Sequence, residues 1–150
     1  LHIEISSEAK KQSSKFDLKL LDIDESRIEV PEIPNDQIVS TTLPSTDFQR
    51  LCRDMSNIGS EIAIARKENL LTLQCEGDFA NQETSIETCE RIDTSFCGTY
   101  SLRYLNIFTK ATAMCSTVSL MQETNNRFLI LKYNVANLGE LKFYLASKQD

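Results

Sequence analysis

The sequence predicts an α+β fold, rich in antiparallel strands and carrying two helices. Three patterns predict it. Two stretches, Pro44 to Gly59 and Leu102 to Met114, repeat apolar residues every three or four positions. Most of the remainder alternates apolar and polar residues, as half-buried strands do. The exception, Asp22 to Pro34, is acid-rich and holds two of the three prolines, so it reads as an extended connector.

Composition narrows the function classes. At 150 residues with 41% apolar and 25% charged content, the chain is long enough for one domain with a real core. It contains no transmembrane-length apolar run and does not open with a signal-peptide pattern. The net charge of −6 argues against a general nucleic-acid coat. It leaves room for DNA contact wherever opposite signs are segregated, because the local field outweighs the sum. Five cysteines (52, 75, 89, 97 and 115) lack CxxC spacing and are expected as buried reduced thiols in an intracellular protein. His2 is the only histidine, so Ser/His or Cys/His catalysis has nothing but a chain-end residue to use. Zinc spacing, a Gly-rich phosphate loop and a calcium loop are all absent from the sequence. No catalytic residue, metal or cofactor is therefore expected, and the chain reads as a non-enzyme.

In chain order, Leu1 to Ser6 alternates, Ser7 to Ser14 is a polar turn, and Lys15 to Leu21 alternates with Phe16, Leu18 and Leu20 on one face. These form an expected edge hairpin. LHIEI reads as a strand that needs a partner upstream, which suggests a fragment of a longer protein. After the connector, Gln37 to Leu43 is a strand. PSTDFQRLCRDMSNIG is then the clearest helix, with Thr46 and Gln49 as a capping box and Gly59 at the C′ position. Asp47 suits its positive start. Phe48, Leu51, Cys52, Met55 and Ile58 form its buried stripe, with Arg50 and Arg53 on the other side.

Glu61 to Arg66 and Leu70 to Cys75 are expected as strands of a hairpin around Lys67-Glu68-Asn69. Asp78 to Thr88 and Ser95 to Ser101 are weaker strands separated by the polar loop Cys89 to Thr94. In the second helix Leu102, Leu105, Phe108 and Ala111 recur every three residues. Arg103 and Lys110, seven apart, share an angle, and Asn106 beside them completes a basic, polar solvent face. Thr117 to Leu120 is a strand. Arg127 to Val135 and Glu140 to Leu145 are two more, joined through Asn137-Leu138-Gly139.

The wording of several segments goes further. LRYLNIFTKAT with CSTVSL, the helix FQRLCRDMSNIG with its FxRxCRD pattern, the connector LLDIDESRIEVPE and the ending LKFYLASK resemble eukaryotic-type sliding DNA clamps, the PCNA family. The likeness covers essentially the whole chain. It implies a DNA clamp (processivity-fold) domain, with antiparallel sheets outside and two helices packed on the inner face. It also implies a division into end strands of an N-terminal clamp domain (1–21), an interdomain connector (22–35) and a C-terminal clamp domain (36–150).

The function that this resemblance implies is topological: a homotrimeric ring that encircles duplex DNA and serves as a polymerase processivity factor in the nucleus. Arg50, Arg53, Arg103 and Lys110 match the basic lining of the hole. Its implied partners are double-stranded DNA without sequence preference, a clamp loader, and DNA polymerase and other proteins carrying short clamp-binding peptides. Those peptides would enter a groove between the connector, at Ile28, Val30 and Pro31, and the closing segment, at Tyr144, Leu145 and Ala146. Phe16 and Leu18 match one subunit edge, and Thr84 and Ile86 the other. A regulatory lysine is usual at the tip of the hairpin Arg66 to Leu70; Glu68 falls there, with Lys67 beside it as the candidate for modification. Three departures stand out. Ser147 replaces a usual proline, a proline near Arg127 is missing, and FANQETSIE lacks the usual glycines. Two alternatives stay open: an isolated clamp half acting as a peptide-binding module, and a subunit of a heterotrimeric checkpoint clamp.

Overall fold

The structure, a computed structural model, describes residues 1–7, 9, 11–20, 33–34, 37–123, 125 and 127–148. The chain forms two compact units, residues 1–32 and 33–150. The first contains an antiparallel ribbon of β1 (His2–Ser7) and β2 (Gln12–Asp17), in register Ile3 to Phe16 and Glu4 to Lys15. Leu18 donates its amide to the Leu1 carbonyl at 2.9 Å and extends the pairing by one step. The ribbon therefore has two unlike faces. Ile3, Ile5, Phe16 and Leu18 share one, while His2, Glu4, Lys15 and Asp17 share the other. The second strand starts three residues before the expected Lys15, because Gln12 already pairs with Ser7.

The second unit holds β3 (Ile38–Pro44), α1 (Ser45–Ser56), β4 (Glu61–Glu76), β5 (Asn81–Ser101), α2 (Leu102–Phe108), a 3-10 helix (Thr109–Met114), β6 (Thr117–Glu123), β7 (Phe128–Val135) and β8 (Gly139–Ala146). One antiparallel sheet runs β3-β6-β7-β8, and β4 pairs with β5 in another. Both helices pack on each other and over the two sheets, which share a single apolar core. Phe48, Cys52 and Met55 of α1 meet Ile62, Ile64, Leu71 and Leu73 of β4, Leu102 and Leu105 of α2, and Leu129, Leu131 and Tyr133 of β7 in that core. This is the α+β architecture of antiparallel strands and two helices that the sequence predicts.

Several local expectations are corrected. Lys67-Glu68-Asn69 does not turn the chain back. β4 runs through it as one strand of 16 residues, and β5 likewise absorbs the expected loop Cys89 to Thr94. The polar triplet instead marks a register irregularity between Arg66 and Leu70, with Glu68 at φ +50. Its physical role is a change of parity. Ile62 and Ile64 face the core before it, and Leu71, Leu73 and Cys75 after it, which an unbroken alternation cannot do.

No side-chain cap forms at the start of α1: Pro44 occupies the cap position, and Gln49 donates to the Thr109 carbonyl at 2.9 Å instead of closing a capping box. Ser45, buried just inside, bonds the Cys115 carbonyl at 2.5 Å. α1 ends at a right-handed Asn57 rather than at a left-handed Gly59. Of the three-residue apolar repeat of the second helix, Leu102, Leu105 and Phe108 lie on the α-helix, and only the last step, to Ala111, falls where the chain winds from Thr109 as a 3-10 helix with three residues per turn. Of the five cysteines only Cys52 and Cys75 are buried; Cys89 and Cys97 are exposed and Cys115 is half-buried. All five are free. Burial pushes the Cys52 thiol up to about 12, which keeps it protonated.

Gly59 and Gly77 mark where the exit of α1 crosses the β4–β5 turn. A Cβ at Gly59 would strike the Glu76 carbonyl, and one at Gly77 the Ile58 carbonyl. Neither backbone atom has a flexible end to move aside. Gly77→Ala is therefore expected to destabilise the domain by about 1–3 kcal/mol in urea unfolding. A midpoint unchanged from the parent would show that the crossing is looser than described.

Candidate functional site

The buried face of α1 dictates what its other face presents. With Phe48, Cys52 and Met55 fully buried, Arg50 and Arg53 point outward and are exposed. α2 does the same through Leu102 and Leu105, leaving Arg103 and Tyr104 exposed, with Ile107 and, on the 3-10 turn, Lys110. The two elements lie side by side. Gln49 near the start of α1 bonds Thr109, while Asn106 reaches Ser56 and the Cys52 carbonyl near its end. Arg50 thus lies towards the Lys110 end of the pair. Asn106 is corrected here: it also donates to the Leu102 carbonyl at 3.0 Å, and is a tie between the helices rather than part of the solvent face.

The four cations differ in availability. Arg50 is paired with Asp47 at 3.1 Å across one turn. Arg53, Arg103 and Lys110 make no ion pair among the described residues, and the segment Leu102 to Met114 contains no acid. In a chain of net charge −6, this concentrates uncompensated positive charge on one helical face. Such a face suits a polyanion recognised through its backbone charge rather than through its bases.

The remaining expected site residues lie elsewhere. Ile28, Val30 and Pro31 fall outside the described residues. On β8, Tyr144 faces Ile130 and Ala146 faces Phe128 across the ladder to β7, on the sheet face opposite the core, while Leu145 turns into the core. Glu140, lower on the same face, is held between Lys132 at 2.5 Å and Lys142 at 2.6 Å. Hydrogen bonds from Lys132 and then Lys142 bring its carboxyl down to about 2. Thr84 and Ile86 lie on the inward-facing side of β5, whose outer edge is bridged at Thr99 by Lys148 and pairs with no named strand among the described residues. Phe16 and Leu18 are exposed on the apolar face of the ribbon.

Lys67 stands exposed at the irregular corner of β4, and the residue beside it is the one the sequence reading missed. Arg66 is only 1% exposed. Its guanidinium donates to the Glu68 carbonyl, to the Glu90 carbonyl at 2.5 Å and to Thr41 Oγ1 at 3.2 Å, tying the corner of β4 to β5 and β3. Burial lowers its pKa, against a smaller opposing effect of the Glu90 charge. The signal was present: Ile62, Ile64, Arg66 is an inward-facing row that ends on a cation. Arg66→Ala would remove the guanidinium that ties the Glu68 and Glu90 carbonyls to Thr41 and leave a cavity in its place, and is expected to cost about 2–4 kcal/mol in stability. Amide exchange should accelerate first around residues 66–69 and 88–91. Uniform acceleration, or none, would show that the corner does not depend on Arg66.

Comparison with known proteins bears on this geometry. Residues 29–148 match the family model described as proliferating cell nuclear antigen, C-terminal domain. The probable DNA polymerase sliding clamp 1 of Paramecium bursaria Chlorella virus 1 is 37% identical over 157 aligned positions, covering 97% of this chain and 58% of the relative. Proliferating cell nuclear antigen 2 of Drosophila melanogaster is 32% identical over 156, with the same two coverages. The chain thus spans little more than half the length of these relatives. The family match, the two-helix face and the paired antiparallel sheets agree: this chain belongs to the proliferating cell nuclear antigen family of sliding clamps.

Proposed function

We propose that this chain acts as part of a sliding clamp: a non-enzymatic processivity factor that closes as a homotrimeric ring around duplex DNA. In a eukaryotic cell it would work in the nucleus, although one relative is viral. The observation that carries the reading is the outer face of the helix pair, with Arg53, Arg103 and Lys110 uncompensated and Arg50 tempered by Asp47. Point charges on rigid helices attract phosphates at any sequence and form no base-specific grip, which permits sliding.

The division 1–21, 22–35 and 36–150 fits this role, the connector joining end strands of one clamp domain to a second clamp domain. A clamp loader would open the ring. Polymerase and other proteins would dock short peptides between the connector, at Ile28, Val30 and Pro31, and the closing strand. There Tyr144 and Ala146 offer side chains on the outer face and Leu145 anchors the strand from beneath. Ring closure would use strand edges near Phe16 and Leu18 on one side and Thr84 and Ile86 on the other. Lys67, exposed on a corner fixed by Arg66, would be the regulated lysine.

The test is charge reversal on the helical face. Arg53→Glu, Arg103→Glu and Lys110→Glu are each expected to lower affinity for random-sequence duplex roughly threefold to tenfold at low salt. Each should also flatten the salt dependence by about one unit of log–log slope. Arg50→Glu should cost less, since its guanidinium is already shared with Asp47. Unchanged duplex binding and unchanged processive synthesis in the triple reversal would refute the lining.

A further inference from the structure

Arg66 has more donors than the acceptors it meets. It lines a cavity of about 330 Å³ between β3 and the corner of β5, bounded by residues 40–43 on one side and 87–90 on the other. Thr41 and Glu90 stand on opposite walls, and the buried guanidinium bonds both, so it forms the floor. A guanidinium carries five N–H groups. Three are used: Nε donates to Thr41 Oγ1, and the two terminal nitrogens donate to the Glu68 and Glu90 carbonyls. Each terminal nitrogen therefore keeps one N–H without an acceptor among the described residues. Thr41 accepts from Nε, which leaves its own hydroxyl hydrogen uncommitted there as well.

The charge is as unmatched as the hydrogens. No carboxylate lies within ion-pair distance of Arg66 among the described residues. A buried cation without a counter-ion is costly, and buried donors are stranded unless something accepts from them. The mouth, by contrast, is acidic: Glu87 and Glu90 are exposed on the β5 wall. The cavity thus has a cationic floor and an anionic rim.

We propose that this cavity binds a small zwitterion, its carboxylate on Arg66 and Thr41 and its ammonium at Glu87 and Glu90. A carboxylate is planar and takes two N–H donors side by side, which suits the guanidinium hydrogens left over. Inorganic phosphate would suit the floor, but both glutamates would repel it. A simple cation would be held by the rim and rejected by Arg66. A molecule carrying both signs, with a short apolar spacer, is favoured at each end. Binding breaks no existing bond, because it takes only hydrogens that the three present contacts do not use. It would also brace the corner that carries Lys67. The site draws on neither the helix face nor the ring.

The experiment is an amide chemical-shift titration of the full chain with 6-aminohexanoate, and with hexanoate as the probe lacking the ammonium. Saturable shifts are expected at residues 41, 66–68 and 88–90, with 6-aminohexanoate binding roughly twofold to fivefold tighter than hexanoate. Glu87→Gln with Glu90→Gln changes only exposed side chains and should leave the fold intact. This pair should erase the preference by weakening 6-aminohexanoate and strengthening hexanoate. Arg66→Lys keeps the charge but loses the paired donors, and should weaken both probes roughly tenfold. Should that variant unfold, the glutamate pair still decides the matter. Equal affinity for the two probes, a preference that survives both glutamate changes, or shifts centred on other residues would overturn the proposal.

Discussion

Burial of one face of the helix pair is the constraint on which the rest depends. The shared core takes Phe48, Cys52 and Met55 from one element and Leu102, Leu105 and Ala111 from the other. Once those are fixed, helical geometry leaves Arg50, Arg53, Arg103 and Lys110 on the opposite surface. Asn106 and Gln49 then lock the two elements together through hydrogen bonds to each other's backbone or hydroxyl groups. The basic face is thus as rigid as the core beneath it, and an acidic chain keeps its positive charge where the helices put it. The proposed function needs a placed field rather than a reactive group.

A second consequence follows along β4. For one strand pair to serve the whole width of the domain, the inward row must change parity partway, from Ile62 and Ile64 to Leu71, Leu73 and Cys75. The irregularity that does this frees backbone carbonyls at Glu68 and Glu90; Arg66 donates to both from inside, and Thr88 Oγ1 donates to the second as well. Such a corner costs a buried cation without a carboxylate within ion-pair distance among the described residues. In return it presents Lys67 on a fixed backbone rather than on a loop. Past the end of β8, Lys148 bonds the Thr99 carbonyl at 2.8 Å and pairs with Glu61, joining the chain's last described residue to the β4–β5 sheet.

Periodicity made the helices, most strands and the closing β7–β8 hairpin legible, because each buries one face of a regular element. The four cations were legible for the same reason: a solvent face is what the apolar stripe leaves over. What periodicity could not give was the fate of polar triplets. Lys67-Glu68-Asn69 has the composition of a turn, yet long-range pairing with β5 carries the strand straight through it. Asn106 sits at a solvent-compatible angle but is claimed by α1, a neighbour 50 residues away in sequence. Gln49 was read as a local cap and serves the second helix instead. In each case a tertiary partner outbid a local preference, and a single sequence does not name that partner. Family likeness supplied what local pattern lacked, above all the proposal that the four exposed cations act together.

The most direct measurement is amide chemical-shift mapping of the full chain titrated with random-sequence duplex DNA at low salt. The account predicts perturbations gathered on the outer face of α1 and on residues 103–110, fading as salt rises, with the sheet surfaces silent. Perturbations centred on the sheets, or none on the helix pair at saturating duplex, would contradict it.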